Sequence, residues 1–292
     1  MDYELPIYVI NLKSSIKRRL HVLKELSKLS VPHKIIMVEA VTVQEAKQQK
    51  YCLSEKAYKN IVFKLQSTAV VPTWGAFACA LSHIKCWKMI LENTQPYSLI
   101  VEDDLLIEQP EKFQFRLYNA LFHLRKHSYD YEIIGDQRAN KIEPHIFVFD
   151  ARRDLSKQIH IYKNVEKLRC VFTNIHCYML NTEAAKLMIP KSFPLTFQVD
   201  IQMSYISKNN KLHIYNYFDG GTKQEKFFSS LVQYYFIRKE ELMELLDTIP
   251  EDIVMLIYSY LPTKPKKTYY GYHITDKLSD YNISVILNFS NY

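Results

Sequence analysis

The apolar positions of the first hundred residues alternate between strand-like runs and helical spacing. Residues 6–12 (PIYVINL) are a short apolar run, rich in β-branched residues and bounded by proline, which reads as a buried strand. Ser14 and Ser15 then offer N-caps for a helix through about Leu29, with Ile16, Leu20, Leu23 and Leu26 on one face. A second strand is expected over 34–38. Such a β-α-β opening points to a parallel sheet. The polar, then mixed residues over 42–72 predict a helix followed by a loop. From Trp74, the spacing of Phe77, Leu81, Ile84, Trp87 and Leu91 predicts a well-packed helix over about 75–93, stopped by Pro96. Residues 98–101 (SLIV) then form a short apolar strand that runs directly into Glu102, Asp103 and Asp104.

Further along, the pattern predicts a helix near 111–127 and strands near Glu132–Ile134, Phe147–Phe149 and over 172–180. Thr182 is expected to cap a short helix through Met188 that Pro190 ends, followed by a helix over 200–207 and a strand over 212–215. The character changes after Arg238. Two short amphipathic helices near 239–247 and 251–260 precede a break containing Lys264, Lys266 and Lys267, and the tail is rich in tyrosine. The expected organisation is a main α/β domain over 1–237 and a small helical appendage over 238–292.

Composition narrows the chemistry. With 292 residues, 48% of them hydrophobic, the chain can bury a sizeable core. Only 5 glycines are present, and neither GxGxxG nor GxxxxGK[ST] occurs, so a glycine-rich phosphate loop is not expected. Any phosphate would be held by a metal or by basic side chains. The net charge of +7 is spread along the chain and fits ordinary solubility; no nucleic-acid partner is expected. The 5 cysteines form no CxxC, which suits free thiols in a reducing compartment. No apolar stretch approaches the roughly 18 residues of a transmembrane segment and the first residues do not resemble a signal peptide, so the expectation is a cytoplasmic protein.

The acidic triplet carries the chemistry. In open α/β sheets, ligands sit at the carboxyl ends of strands. Three adjacent carboxylates there repel one another and are costly to desolvate, and a divalent cation offsets both penalties. An oxygen-only donor set suits Mg²⁺ or Mn²⁺ rather than zinc. Alternation along an extended chain lets Glu102 and Asp104 face one ion, leaving Asp103 for a sugar or ribose hydroxyl. A solvated acidic turn is the bland alternative.

IYVINLKSSIKRR, PTWGAFACALSHIKCW, SLIVEDD, TNIHCYMLNTEAAKLM and FQVD occur in that order. Together these segments resemble glycosyltransferase family 25, which includes bacterial lipooligosaccharide galactosyltransferases and collagen hydroxylysine galactosyltransferases. The resemblance covers roughly residues 5–235 and rests on Asn11, Leu12, Arg18, Arg19, Cys79, Leu81, Ser82, His83, Trp87, the triplet 102–104, Tyr178, Ala184, Ala185 and Asp200. The family usually has glutamate where Ala76 stands, and the segment after Asp200 is degenerate here.

The resemblance implies a GT-A-like fold, a UDP-galactose or UDP-glucose donor, Mn²⁺ and a glycan or protein-linked acceptor. Glu102 and Asp104 become the metal ligands; Asn11, Arg18, Arg19, Ser82, His83 and Asp103 become candidate donor contacts. Arg18 and Arg19 equally suit an exposed helix face, and His83 suits helix packing. Inverting transfer needs a base for the acceptor hydroxyl, and Asp200 is the candidate, with a helix cap as its alternative. His176 is expected to be structural or to line the donor site, and Asp219 to mark a turn. A non-catalytic binding protein on the same fold, or an adaptor acting through its C-terminal helices, stays open. Residues 249–261 (IPEDIVMLIYSYL) resemble the short helix of F-box-like segments in large DNA viruses, which would fit a viral source and a host-cytoplasmic location.

Overall fold

The computed structural model describes residues 4–65, 69–93, 95–133, 143–153, 161–162, 165–167, 172–217 and 220–225. The proposed appendage 238–292, Asp219 and Cys170 lie outside them. The elements run β1 (Leu5–Asn11), α1 (Ile16–Leu26), β2 (His33–Glu39), α2 (Val43–Gln48), α3 (Glu55–Phe63), α4 (Trp74–Leu91), β3 (Tyr97–Glu102), β4 (Leu105–Ile107) and α5 (Pro110–Ile133). They continue with β5 (His145–Phe149), β6 (Arg152–Arg153), β7 (Ile161–Tyr162), β8 (Val165–Lys167), β9 (Phe172–Thr173), β10 (Cys177–Asn181), α6 (Thr182–Lys191), α7 (Val199–Asn209), β11 (His213–Tyr217) and β12 (Thr222–Gln224).

Eight strands form one sheet in the order β2-β1-β3-β10-β5-β11-β8-β7. Strands β2, β1, β3, β5, β11 and β7 point one way; β10 and β8 are reversed, as their antiparallel pairings show. The sheet is therefore mostly parallel in direction. Its central strands are buried on both faces, which is why they read as continuous apolar runs. In β1, Leu5, Ile7 and Val9 join the core layer under α1 and α5. Tyr8 and Ile10 join the opposite layer, with residues of α4, α6 and α7. The same alternation puts Leu99 and Val101 on the α1/α5 side and Ile100 on the α4 side.

Helix α4 is the centre of one layer. It is buried almost all round, from Phe77 and Ala80 to Trp87 and Ile90, as expected of a helix covered on several sides. Thr73 caps it by accepting the N–H of Ala76.

Several expected details differ. Helix α1 buries Val22, Glu25 and Leu26, whereas Ile16 and Leu20 are exposed. Glu25 draws the helix round because it accepts the buried N–H of Ile107 at 2.7 Å and pairs with Lys28. No strand forms at Glu132; α5 continues to Ile133. The strand expected over 172–180 is broken into β9 and β10 by Asn174, whose φ is +74°. Asn181, not Thr182, caps α6, accepting from Ala184 N–H at 3.0 Å. Pro190 lies within the last turn of α6 rather than ending it at Met188.

Candidate active site

The carboxyl ends of β1 and β3 lie side by side, with Ile10 in register with Glu102. The chain turns at Asp103 and Asp104, so the triplet does not stay extended, and each acid meets different neighbours. Asp103 is buried and doubly bound. Asn11 Nδ2 donates to Oδ2 at 2.7 Å, and Arg18 Nε donates to Oδ1 at 2.6 Å. Arg18 also reaches Asp104 Oδ2 through Nη2 at 3.1 Å, and Gln224 Nε2 donates to the same oxygen at 3.1 Å. The other oxygen of Asp104, Oδ1, is buried without a hydrogen-bond partner. Arg19 lies on the exposed side of α1.

Glu102 continues the face of Ile100 and meets α4. His83 Nε2 lies 3.1 Å from Glu102 Oε1, and His83 Nδ1 lies 2.9 Å from Tyr178 Oη. Trp87 Nε1 donates to the same Tyr178 oxygen at 2.9 Å. Indole can only donate, so Tyr178 accepts there and directs its own hydrogen to His83 Nδ1. The His83 hydrogen then sits on Nε2, facing Glu102. Burial pushes the Glu102 carboxyl up, but the hydrogen bond and charge of His83, with His176 and Arg18 behind it, outweigh burial and hold it below its ordinary value. Ser82, one residue earlier, faces away: it accepts from Val41 N–H at 2.9 Å and donates to Ala78 C=O at 2.8 Å.

Asp104 behaves oppositely. Burial first, and then the charge of Glu102, push its carboxyl up to about 7, although Arg18 and Gln224 work against them. Burial likewise raises Asp103, with Arg18 and Asn11 opposing it. Cys79, Glu102 and His83 place possible ligand atoms within 4.8 Å of one another. Burial and the surrounding carboxylates keep the Cys79 thiol protonated, and His83 directs a hydrogen at Glu102, so carboxylate oxygen is the donor this region offers.

Asp200 is the fourth carboxylate. It lies in the first turn of α7, behind the N-cap position at Gln198, so it is not the helix cap. Its Oδ1 accepts from Ile201 N–H at 2.8 Å and its Oδ2 from Asn174 N–H at 3.1 Å, which secures the positive-φ turn at Asn174. Burial raises its pKa, the two amides oppose that, and the charge of Glu102 adds to it.

Sequence patterns gave no pointer to Gln224, which lies in a polar stretch more than a hundred residues from Asp104. It is placed by Asp150, whose carboxylate accepts from Gly220 N–H at 2.6 Å and from Thr222 N–H at 2.9 Å. Gly221 supports the same turn at φ +88°, and a Cβ there would lie 2.8 Å from Gln109 O. His176 lies behind the site, with Nε2 3.2 Å from Thr222 Oγ1 and its carbonyl accepting Glu102 N–H at 2.9 Å. Tyr178 and Trp87 carried the family resemblance without any role in the site, though Trp87 stands one helical turn after His83.

The profile of glycosyltransferase family 25 (LPS biosynthesis protein) matches residues 4–203. Lipooligosaccharide biosynthesis protein lic2B of Haemophilus influenzae is 33% identical over 108 residues, which is 36% of this chain and 36% of that protein. A glycosyltransferase-like protein of the same species is 32% identical over 105 residues, 36% of this chain and 34% of its own length. The chain thus spans about a third of the length of these relatives. A Bacillus anthracis structure named for glucose-1-phosphate thymidylyltransferase covers 81% of this chain and 98% of its own, at 11% identity and a TM-score of 0.35, too slight a likeness to define the fold. With the family profile running from before β1 into α7, the chain belongs to glycosyltransferase family 25.

Proposed function

We propose that this chain is a metal-dependent, inverting hexosyltransferase of GT-A-like fold. It moves galactose or glucose from a UDP-sugar to a glycan or protein-linked acceptor. The observation that carries the reading is the buried, unpartnered Oδ1 of Asp104 among four carboxylates in a family 25 domain. An unpaired buried oxygen and a carboxyl raised first by burial and then by a like charge are what a divalent cation relieves. Glu102 and Asp104 would hold Mn²⁺ or Mg²⁺, which when bound supplies positive charge to the departing nucleoside diphosphate.

The chain's own residues do the rest. Tyr178, Trp87 and His83 keep Glu102 ionised and oriented. Arg18 lies across Asp103 and Asp104, offsets their repulsion, and is our candidate for a phosphate contact. Asn11 and Asp103 act together as the seat of Arg18, so Asp103 is a positioning residue rather than a ribose ligand. Asp200 takes the proton of the acceptor hydroxyl as that oxygen attacks the anomeric carbon. The bond from that carbon to the diphosphate oxygen breaks, and its electron pair leaves on the phosphate.

A panel of nucleotide sugars with Mn²⁺, read by calorimetry and by release of nucleoside diphosphate, tests this. Tight binding of a UDP-hexose that needs Mn²⁺ is expected. Absence of binding by every nucleotide sugar defeats the reading. A second reading, donor binding without transfer, is favoured by one observation: both oxygens of Asp200 already accept backbone amides. Slow hydrolysis of the donor without an acceptor separates the two, because a binding protein leaves it intact.

A further inference from the structure

The amino ends of β5 and β11 lie at the end of the strands opposite to the acidic site. There, His145 and His213 are register partners on adjacent parallel strands, so their side chains share a face. Glu143 precedes His145 by two residues. One ligand atom from each of Glu143, His145 and His213 lies within 4.8 Å of the other two. His213 Nε2 is 3.0 Å from Glu143 Oε2, and the two rings are 5.0 Å apart.

The surroundings hold this trio in place. The Nδ1 of His145 lies 2.8 Å from Glu143 C=O, and a carbonyl can only accept. His145 therefore carries a hydrogen on Nδ1, the arrangement by which a backbone carbonyl orients a metal-binding imidazole. Asn181 braces both neighbours: its Nδ2 donates to Glu143 C=O at 2.7 Å and its Oδ1 accepts from His145 N–H at 3.0 Å. Pro144 C=O accepts from His213 N–H at 2.9 Å, tying the second strand to the same turn. Solvent reaches the trio, since the Glu143 side chain is 43% exposed and that of His213 22%.

We propose that Glu143, His145 and His213 form a transition-metal site, best suited to Zn²⁺, with a fourth position open to water. Two imidazoles and one carboxylate match zinc rather than Mg²⁺ or Ca²⁺. Tetrahedral zinc places its donors about 3.3 Å apart. The His213–Glu143 distance of 3.0 Å is close to that, and all three ligand atoms lie within 4.8 Å of one another. The site would clip β5 to β11 and is independent of sugar transfer.

The test uses the full chain freed of metal, with Zn²⁺ alone as the probe and a chromophoric chelator as competitor. Wild type is expected to take up tight zinc that His213→Ala releases, with affinity falling about a hundredfold. Glu143→Gln should weaken it about tenfold, because the two imidazoles remain. His213→Gln, closer in size, serves if the alanine variant melts early. Co²⁺ in the same site should give a tetrahedral spectrum without thiolate bands. Equal zinc uptake by wild type and both His213 variants, no tight zinc in wild type, or thiolate bands would each overturn the proposal. Donor binding is not the readout, so failure here leaves the transferase reading untouched.

Discussion

The carboxylates at the end of β3 and the one at the start of α7 are held by different means. Side chains from distant elements hold the first group: Asn11 and Arg18 from the β1–α1 segment, His83 from α4 and Gln224 from β12. Backbone amides of Ile201 and Asn174 hold Asp200. Side-chain partners tune an acid individually, which is how Glu102 is lowered while Asp104, two residues on, rises to about 7. Backbone partners fix an acid in place but accept no substitute that brings its own hydrogens.

The sharpest break of this comparison is Asp104→Ala. It removes the unpartnered oxygen and should abolish Mn²⁺-dependent donor binding while the fold survives, with Glu102→Ala acting in the same way but less severely. Donor titration with and without Mn²⁺ checks this, and unchanged Mn²⁺ dependence would remove the metal assignment.

Next in size is Asp200→Asn. It should lower turnover by roughly a hundredfold or more while donor affinity changes little. The amide also turns an N–H₂ toward one of two backbone N–H groups, so a modest fall in melting temperature should accompany it. Wild-type turnover in the folded variant would return Asp200 to a turn-holding role.

Tyr178→Phe addresses the tuning on the Glu102 side. It leaves Trp87 Nε1–H buried without an acceptor and takes from His83 Nδ1 the hydrogen bond that orients the ring. A loss of about 1–3 kcal/mol is expected from denaturant melts, with Mn²⁺ affinity roughly tenfold weaker. Stability loss without any change in Mn²⁺ affinity would show that His83 does not orient Glu102.

The smallest effect concerns pH. Asp104 is raised from 3.8 to about 7 in the fold, so its ionisation opposes folding. Its contribution is fully present below about pH 4 and is lost as pH rises toward 7. Glu102, being lowered, acts in the opposite sense only below its ordinary value near 4.5. Melting curves with a chelator should therefore show wild type losing stability between pH 5 and 7.5 relative to Asp104→Asn, and parallel curves would contradict the shift.

The parts of this site that were legible in the sequence are those where local pattern and chemistry coincide. SLIV running into three acids announces a strand that ends at Glu102. The spacing of Phe77, Leu81, Ile84 and Trp87 announces α4. The β1–β2 pairing follows from the opening β-α-β pattern. What stayed hidden depends on the turn at 103–104 and on long-range placement. Simple alternation assigned Asp103 to a ligand, whereas the turn directs it to Asn11 and Arg18. Gln224 reaches Asp104 only because Asp150 pins the turn before β12, and no local periodicity reports that. Ile16 and Leu20 drew the helix face wrongly because a buried acid, Glu25, outranked them.

The alternation along β3 sets a parity for the site. Even-numbered positions of this strand look toward α4, which is why Glu102, after Ile100, meets His83. Inserting or deleting one residue within β3 would take Glu102 off the face that meets His83 or turn Leu99 and Val101 toward the wrong layer. A two-residue change would restore the facing but draw the acids out of line with Asn11. The length of this six-residue strand is thus as much a determinant of the site as the acids it ends in.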